Sequence, residues 1–307
     1  MGVAVAEPQQ EERTVAPTGL QDKMLCERYA YLGYYRRLTL PYWSPKLRFG
    51  SAFHEAARRM DIAAMRGEEV AVADLFDEAL SQQVAEHMAN FPDVPPPEDE
   101  LDELRNLGRT LLPLYAEFEP EFGPHIKRIM DMEQPYELTT PAGNVSRGRL
   151  DAVVEDRAGR IWVLDRKTCS QFPRDIKLKH SVQAGIYSTA AWLYYGDRFA
   201  GFIFDHIRKQ MPGPRVKAPL FKRYEIPFNK HEATHWLRLI DEGAAWLEKA
   251  KTSNTWSMPY SPSMACEWCP FTEVCLACRQ LDSESIERMV SSQFVVRPRY
   301  AEVSDDA

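Results

Sequence analysis

The sequence lacks three features that would each assign a chain to a class of protein at once. It contains no apolar run long enough to span a bilayer, and its N-terminal segment has no basic stretch followed by an apolar one. It also lacks a Walker-type lysine motif, so nothing predicts an ATP-driven helicase or a nucleotide cofactor. We therefore expect a cytoplasmic protein with no membrane partner.

An excess of positive charge is also missing, because the formal net charge of the 307 residues is -7. This balance argues against a protein that coats nucleic acid with its whole surface. Lysine and arginine nevertheless cluster at Arg166–Lys179 and Arg208–Arg223, which is compatible with a basic groove. A reducing compartment disfavours disulfides, so we expect the six cysteines to be metal ligands or free thiols.

Hydropathy divides the chain into one large domain and two tails. Residues 1–18 show no periodicity and are predicted to be disordered, and residues 281–307 form a C-terminal tail. The intervening residues 19–280 are predicted to form a single domain, since a chain of this length buries a substantial core. A helical insertion without any recognisable motif is predicted over about 66–120.

Helices dominate the first part of the chain. The pattern predicts a helix over Asp22–Leu38 and another beginning at Ser44-Pro45, where a capping hydroxyl precedes a proline. Within the insertion, helices are predicted over Val70–Asn90 and Glu98–Glu119. Pro113 should kink or interrupt the second of these, because proline removes a backbone hydrogen bond.

Strands and helices alternate in the second part, which indicates an α/β fold. A helix is predicted from Ser181 to Tyr195, closed by Gly196, and a capping box of Asn229 and Glu232 predicts another helix to about Ala250. The predicted strands are Ile129–Leu138, Arg149–Asp156, Arg160–Thr168, Phe199–Ile207 and Phe221–Ile226.

The hairpin formed by the second and third of these strands carries the charged residues of greatest interest. Its three-residue loop ends at Gly159, the position that favours glycine, and this loop pairs Asp156 with Arg160. Counting back along both strands places Asp151 opposite Asp165, with Lys167 on the same face. Two facing carboxylates repel each other unless a cation or a proton lies between them. The alternative is an edge hairpin with solvated charges, which the apolar residues around them disfavour.

The cysteines form a second group. Cys266-x-x-Cys269 is followed by Cys275 and Cys278, and Cys26 lies far away in sequence. Cysteines at such close spacing in a reducing compartment typically bind metal. Two quartets fit the spacing: the four C-terminal cysteines as a local zinc site, or Cys26 together with the first three.

Four motifs occur together in a characteristic order. They are Gly50-x-x-x-His54, Gly148-x-x-Asp151, Asp165-x-Lys167-Thr168 and Gln183-x-x-x-Tyr187. In this combination the sequence resembles the RecB-type branch of the PD-(D/E)xK nuclease superfamily. The resemblance implies a restriction-endonuclease-like mixed sheet flanked by helices.

The resemblance also implies roles for these residues. Asp151, Asp165, the backbone carbonyl of Arg166 and His54 would bind a divalent metal, and Lys167 would position or deprotonate the attacking water. Oxygen ligands select Mg²⁺ or Mn²⁺, and a single histidine favours Mn²⁺ somewhat. Gln183 and Tyr187 would hold the catalytic strand or contact DNA, whereas Glu133 is a weaker candidate on a neighbouring strand.

The cysteine spacing is similar to that of the iron–sulfur nucleases in this superfamily, which include CRISPR-associated and phage exonucleases and AddB-type recombination nucleases. This resemblance implies a 4Fe–4S cluster held by Cys26, Cys266, Cys269 and Cys275. Such a cluster would join the segments at about 22–38 and 264–278 as a structural staple. Cys278 would be a spare thiol and Cys169 a structural one.

The resemblance implies metal-dependent exonuclease action on single-stranded DNA, with 5′ to 3′ polarity, in recombination, repair or CRISPR-type processing in a bacterial, archaeal or phage-infected cell. A recombinase, annealing protein or integrase is the expected protein partner. The alternatives are a DNA-end-binding adaptor with weak or no hydrolysis of its own, and a metal-binding structural protein.

Basic residues in several separate segments are predicted to converge on the hairpin as a narrow channel for a single strand. These residues are Arg28, Arg36, Arg37, Lys177, Lys179, Lys209, Lys217 and Lys222. Tyr29, Tyr31 and Trp162 are possible stacking surfaces for bases, although aromatic residues in such apolar contexts are more often part of the core.

Overall fold

The structure is a computed structural model, and it describes residues 14–121, 123–214, 219–253, 259, 262 and 264–297. Some sequence predictions lie outside these residues. They are the disorder predicted for residues 1–13, the last part of the predicted C-terminal tail at 298–307 and the channel residue Lys217. Among the described residues, no helix combines the length and the apolar character needed to cross a membrane.

Helices and strands follow one another in short runs along the described chain. The helices are α1 (Pro17–Leu25), α2 (Glu27–Ala30), α3 (Pro45–Arg66), α4 (Val72–Asn90), α5 (Glu98–Ala116), α6 (Asp175–Lys179), α7 (Val182–Tyr195), α8 (Ala233–Thr252), α9 (Thr272–Ala277) and α10 (Ser283–Gln293). The strands are β1 (Leu38–Thr39), β2 (Ile126–Thr139), β3 (Val145–Asp156), β4 (Ile161–Cys169), β5 (Phe199–Arg208), β6 (Phe221–Pro227) and β7 (Val295–Val296).

These elements group into two compact units. The first unit draws on the segments Met1–Leu40, Glu137–Gly148 and Ala233–Ala307, and the second on Pro41–Tyr136 and Arg149–Glu232, each through its described residues. In the first unit β1 pairs with β7 in an antiparallel ladder, which joins Leu38 and Thr39 to the last strand of the described chain. The predicted single domain over 19–280 stays a prediction.

The main sheet has the strand order β2-β3-β4-β5-β6. The β3–β4 and β5–β6 pairs are antiparallel, whereas β4 and β5 are parallel. Parallel neighbours need a long crossover, and here the crossover contains α6 and α7. The sheet is therefore mixed and flanked by helices, which confirms the predicted fold class.

The hairpin has the predicted register. Glu155 pairs with Ile161 and Ala152 with Leu164, so the same count places Asp151 opposite Asp165. The loop closes with hydrogen bonds from Asp156 N to Arg160 O (2.9 Å) and from Gly159 N to Asp156 O (3.0 Å). Gly159 has a φ of 80°, the left-handed conformation that glycine adopts without strain.

Both faces of the hairpin are buried within the second unit. On one face, Val153, Val163 and Phe202 pack in a buried cluster with Ala184 and Ala191 of α7. On the other face, Val154, Trp162 and Leu164 form a separate buried cluster. Nearby, α3, α4 and α5 share an apolar core that reaches Ile207 of β5. Burial on both faces explains why β3 and β4 read as continuous apolar runs.

Several predicted helix boundaries need correction in the N-terminal half. The helix predicted over Asp22–Leu38 is broken at Cys26, whose extended backbone (φ −167°, ψ 122°) separates α1 from α2 before a π-helical turn at Tyr31–Tyr35. Helix α1 already begins at Pro17, and Val15 N bonds to Val145 O (2.9 Å), so the predicted N-terminal disorder does not extend to residues 14–18.

Two capping predictions and one proline prediction are also wrong in detail. The side chain of Ser44 makes no cap hydrogen bond at the start of α3. Asn229 accepts a hydrogen bond from His231 N (3.1 Å), and a short 3-10 turn precedes α8 instead of a capping box. Helix α5 continues through Pro113 and ends at Ala116, so the proline does not interrupt it.

Candidate active site

Asp165 of β4 is the most constrained carboxylate in the second unit. Its side chain is 1% exposed, and its Oδ1 accepts hydrogen bonds from Lys167 Nζ (2.9 Å) and Gln183 Nε2 (2.9 Å). Its Oδ2 is buried and has no hydrogen-bond partner among the described residues. A buried carboxylate oxygen normally has a partner, so this oxygen is a candidate ligand for a cation.

Asp151 lies beside Asp165 on the adjacent strand β3. The pKa of Asp151 is raised to about 8, chiefly by burial and then by the charge of the neighbouring Asp165 and a hydrogen bond with it, although Lys167 opposes the rise. The metal-free site thus favours a proton on Asp151 at neutral pH. A divalent cation between the two carboxylates would relieve the same repulsion.

His54 of α3 reaches the same place from outside the sheet. Its Nε2 contacts the backbone carbonyl oxygen of Arg166, and its Nδ1 lies 3.6 Å from Asp151 Oδ2. Burial lowers the pKa of His54, which keeps the imidazole neutral, the form that ligates metals. Gly50, one turn earlier, brings α3 close to β4, because a Cβ there would lie 3.2 Å from Thr168 Oγ1.

Lys167 is partly solvent-accessible, with 42% of its side chain exposed. Burial alone would lower the pKa of Lys167, but the carboxylates of Asp165 and Asp151 more than offset it, and the pKa is raised. Lys167 is therefore an ammonium group that donates hydrogen bonds. This state suits the positioning of a water or a phosphate oxygen better than the removal of a proton.

Gln183 and Tyr187 lie one turn apart on α7, whose first turn is capped by Ser181 Oγ accepting from Ala184 N (3.2 Å). Gln183 fixes Asp165 through the bond given above. The Tyr187 ring packs 5.3 Å from that of Tyr136, and burial raises the pKa of its hydroxyl.

The sequence analysis missed His206 of β5, which pairs with Lys167 in the parallel ladder. Burial lowers the pKa of His206 to about 4, and its Nδ1 is buried without a partner among the described residues. No local motif marks this residue. Its only sequence signal is a histidine beside Asp205 in a strand that is mostly apolar.

Glu133, the weaker candidate, is half-buried on β2 and adopts a left-handed φ of 53°. Burial raises its pKa, whereas Arg58 and Arg149 lower it. The charge of Glu133 also raises the pKa of Asp151, which places it near the site.

Among the described residues, no three His, Cys, Asp or Glu side chains form a ready-made metal-binding group. The donors at the hairpin nevertheless fit a hard divalent cation. They combine the unpartnered oxygen of Asp165, the adjacent Asp151 carboxylate, a neutral His54 and a backbone carbonyl. These ligand types suit Mg²⁺ and Mn²⁺.

Apart from Cys169, which ends β4 in the second unit, the cysteines belong to the first unit. Burial raises the pKa of the Cys269 thiol, and the nearby thiols of Cys275, Cys26 and Cys266 raise it further, while the Phe271 backbone lowers it. Four thiols that affect one another suit a thiolate-bound cluster in their chemistry. Cys278 instead donates its thiol to Val274 O (3.0 Å) in its own helical turn.

Some of the predicted DNA contacts are wrong. Trp162 is 2% exposed and donates Nε1–H to Asp156 Oδ2 (3.0 Å), so it is a core residue and not a stacking surface. Tyr31 is also buried, with its hydroxyl bonded to Ser253 O (3.0 Å). Arg36 forms a two-pronged ion pair with Glu287 (2.9 Å for both bonds), which reduces its availability for phosphate.

Comparisons with known proteins complete the description of the site. No curated protein matches the chain. The solved structure of SSO0001 shares 18% identity over 88% of this chain and 89% of that chain, with a TM-score of 0.36. A candidate exonuclease from Eubacterium rectale shares 11% identity over 92% of this chain and 94% of that chain, with a TM-score of 0.46, and neither likeness adds to the assignment.

The family comparison is decisive. The sequence profile of the PD-(D/E)XK nuclease superfamily matches residues 14–276, a range that contains the hairpin, His54, Gln183 and Tyr187, and also Cys26, Cys266, Cys269 and Cys275. The chain belongs to the PD-(D/E)XK nuclease superfamily.

Proposed function

We propose that this nuclease is a divalent-metal-dependent deoxyribonuclease that acts as an exonuclease on single-stranded DNA, with 5′ to 3′ polarity expected. The observation that carries the proposal is the pair of facing carboxylates, in which Asp165 Oδ2 has no partner among the described residues and Asp151 has a raised pKa. Facing carboxylates repel each other unless a proton or a cation lies between them, and a divalent cation held there is suited to metal-dependent hydrolysis.

The proposed ligands are Asp151, Asp165, His54 and the backbone carbonyl of Arg166. When bound, the divalent ion lowers the pKa of a water and neutralises charge on the scissile phosphate. Lys167, as an ammonium group, donates a hydrogen bond to that water or to a phosphate oxygen. Gln183 keeps the Asp165 carboxylate in one orientation through its bond to Oδ1 (2.9 Å).

We propose that Cys26, Cys266, Cys269 and Cys275 hold a 4Fe–4S cluster with a structural role. The thiols of Cys275, Cys26 and Cys266 each raise the pKa of Cys269, so they lie close to it, which supports this quartet. The local bond of Cys278 to Val274 O favours it over the zinc alternative. The Thr272 hydroxyl donates to Cys266 O (2.7 Å) and Cys269 O (3.0 Å), which holds the Cys-x-x-Cys loop in a closed shape.

The preference for single strands rests on charge and on the family resemblance. The protein is acidic overall, so its DNA contacts must be confined to local basic segments. Helix α6 presents Lys177 and Lys179 in its last turn, and Lys222 lies over the Tyr224 ring (4.2 Å) within the same unit. A recombinase, annealing protein or integrase remains the proposed partner class.

The test uses purified full-length protein with end-labelled linear DNA, single- or double-stranded, and with covalently closed single-stranded circles. Each substrate is incubated with Mn²⁺, Mg²⁺ or EDTA. We expect loss of linear single strands with Mn²⁺ or Mg²⁺, survival of the circles, and no cleavage in EDTA. Comparing 5′ and 3′ labels gives the polarity.

The control is Asp165→Asn, which keeps the size of the side chain and removes its charge. Its cleavage should fall to background, which excludes a contaminating nuclease. Equal cleavage of circles and linear strands would identify an endonuclease. Tight binding of DNA ends without metal-dependent cleavage would favour the adaptor function instead.

A further inference from the structure

A buried network of charged residues lies on the face of β4 opposite to Asp165. The Arg166 guanidinium bonds to Asp61 of α3 through Nη2 and to the Tyr115 hydroxyl of α5 through Nε (3.0 Å). Tyr115 in turn donates to Asp205 Oδ2 (2.8 Å) on β5. Arg223 of β6 completes the network with two bonds to Asp205 (2.7 and 2.6 Å).

The charges of this network balance. Two arginines face two aspartates, and the Tyr115 hydroxyl joins the two ion pairs by accepting from one and donating to the other. All five side chains belong to the second unit, and Arg166, Asp61 and Asp205 are buried. Buried ion pairs require such complete bonding, because an unpaired charge in the interior is costly.

The network has a direct connection to the candidate metal site, because Arg166 takes part in both. Its backbone carbonyl oxygen contacts His54 Nε2, and its side chain bonds to Asp61. His54 and Asp61 lie seven residues apart on α3, which is two turns and therefore one face of the helix. Helix α3 thus contacts Arg166 at the main chain and at the side chain.

We propose that Tyr115 and Asp61 are positioning residues that fix the Arg166 carbonyl and His54 in the arrangement that binds the divalent metal. This inference rests on the proposed function and extends it to the helical insertion, because Tyr115 is on α5. The insertion has no sequence motif of its own. Its contribution to the site is the Tyr115 hydroxyl, which holds the Arg166 guanidinium. The backbone carbonyl of Arg166 is in turn a proposed metal ligand.

Tyr115→Phe is the sharpest perturbation. It keeps the ring, which packs against Phe53 (5.8 Å) and the Arg166 guanidinium (5.5 Å), and it leaves every charge in place. It leaves Arg166 Nε without its acceptor, so the guanidinium is held by Asp61 alone. Asp205 keeps both of its bonds to Arg223.

The matched control is Tyr224→Phe. Tyr224 is a second buried tyrosine of the same unit, and its hydroxyl donates to Pro173 O (3.1 Å), outside the network. Each variant removes one buried hydroxyl and should lower the melting temperature, more so for Tyr115→Phe, because the Tyr115 hydroxyl makes two hydrogen bonds and the Tyr224 hydroxyl makes one. Of the two hydroxyls, that of Tyr115 bonds to Arg166 and that of Tyr224 does not, so Mn²⁺ affinity is compared well below the melting temperature of either variant.

The measurement is Mn²⁺ affinity by titration calorimetry of the full-length protein in the absence of DNA. Loss of a side chain that orients a metal ligand commonly weakens affinity about tenfold or more, so we expect that loss for Tyr115→Phe and less than about twofold for Tyr224→Phe. Cleavage by Tyr115→Phe should approach the wild-type rate at saturating Mn²⁺. Asp61→Asn, a second variant, should weaken Mn²⁺ binding in the same direction.

Two outcomes would overturn the inference. If wild-type protein binds Mn²⁺ and cuts DNA, and Tyr115→Phe binds Mn²⁺ with unchanged affinity, the positioning role is refuted and the proposed function stands. Equal weakening in Tyr115→Phe and Tyr224→Phe would show that general destabilisation is responsible. Wild-type protein that neither binds Mn²⁺ nor cuts DNA would refute the proposed function itself.

Discussion

Replacing Asp151 with asparagine should stabilise the metal-free protein, and the gain should depend on pH. In the folded protein, burial and the Asp165 carboxylate raise the pKa of Asp151 to about 8 from an ordinary value of 3.8. Between these two values the folded state keeps a proton that the unfolded state has lost. Stability therefore falls as pH rises from about 4 to about 8, because the unfolded state binds fewer protons there.

The size of the effect follows from the shift. One pKa unit corresponds to about 1.4 kcal/mol, so the three pH units between 5 and 8 give a ceiling of roughly 4 kcal/mol. The Asp151 side chain is 24% exposed, and solvent screening reduces this ceiling to about 2 kcal/mol. For a chain of this size, that free energy corresponds to a melting temperature shift of about 4 °C or more.

The assay is thermal unfolding of wild type and Asp151→Asn in EDTA at pH 5 and pH 8. Asparagine carries no charge, so the variant avoids the loss of folding stability that wild type shows as pH rises. We expect the melting temperature of the variant to exceed that of wild type by about 4 °C more at pH 8 than at pH 5. Saturating Mn²⁺ should reverse the order at pH 8, because a ligand that binds the folded state stabilises it.

Asp156→Asn is the matched control, since Asp156 ends the same strand. Burial would raise the pKa of Asp156, but hydrogen bonds from Trp162 and Arg160 outweigh it, and the pKa is lowered. A lowered pKa contributes stability that is fully present above 3.8 and is lost only as pH falls below it. Asp156→Asn should therefore lower the melting temperature by the same amount at pH 5 and at pH 8. An Asp151→Asn effect that is equally independent of pH would refute the reasoning about the facing carboxylates.

Three further predictions concern the other residues of the protein. Lys167→Ala should reduce cleavage of end-labelled DNA by about 100-fold or more without altering the far-UV circular dichroism spectrum, and near-wild-type rates would remove Lys167 from the site. Anaerobically purified protein should absorb broadly near ~400 nm. Cys26→Ala should abolish this band and Cys278→Ala should preserve it. Stoichiometric zinc that is lost in Cys278→Ala and kept in Cys26→Ala would establish the local zinc site instead. The double variant Lys177→Glu with Lys179→Glu should weaken the salt-sensitive binding of single-stranded DNA and leave Mn²⁺ affinity unchanged. If its DNA affinity is unchanged, the strand binds elsewhere on the protein.

The sequence by itself determined the geometry of the hairpin. The position of Gly159 set the loop, the loop set the register, and strand alternation then placed Asp151, Asp165 and Lys167 on one face. Each step depends on residues close in sequence, for which local backbone preference and the two-residue repeat are sufficient. The order of the four motifs likewise identified the superfamily that the profile match confirmed.

Local patterns were less reliable where packing competes with them. The Asp22–Leu38 segment has a helical composition, yet Cys26 adopts an extended backbone. Trp162 offered a large aromatic surface, yet it lies in the core with its nitrogen bonded to Asp156. In both cases the sequence indicates the local conformation or the type of surface that a segment favours, whereas tertiary contacts decide its backbone geometry and its burial.

Only the tertiary structure decided which distant residues support the site. Arg166 bonds to Asp61, 105 residues earlier, and Tyr115 to Asp205, 90 residues later. His206 lies beside Lys167 because the α7 crossover makes β5 parallel to β4 in this register. No periodicity or spacing encodes such pairs, since the partner of a buried charge is set by how helices pack on both faces of the sheet.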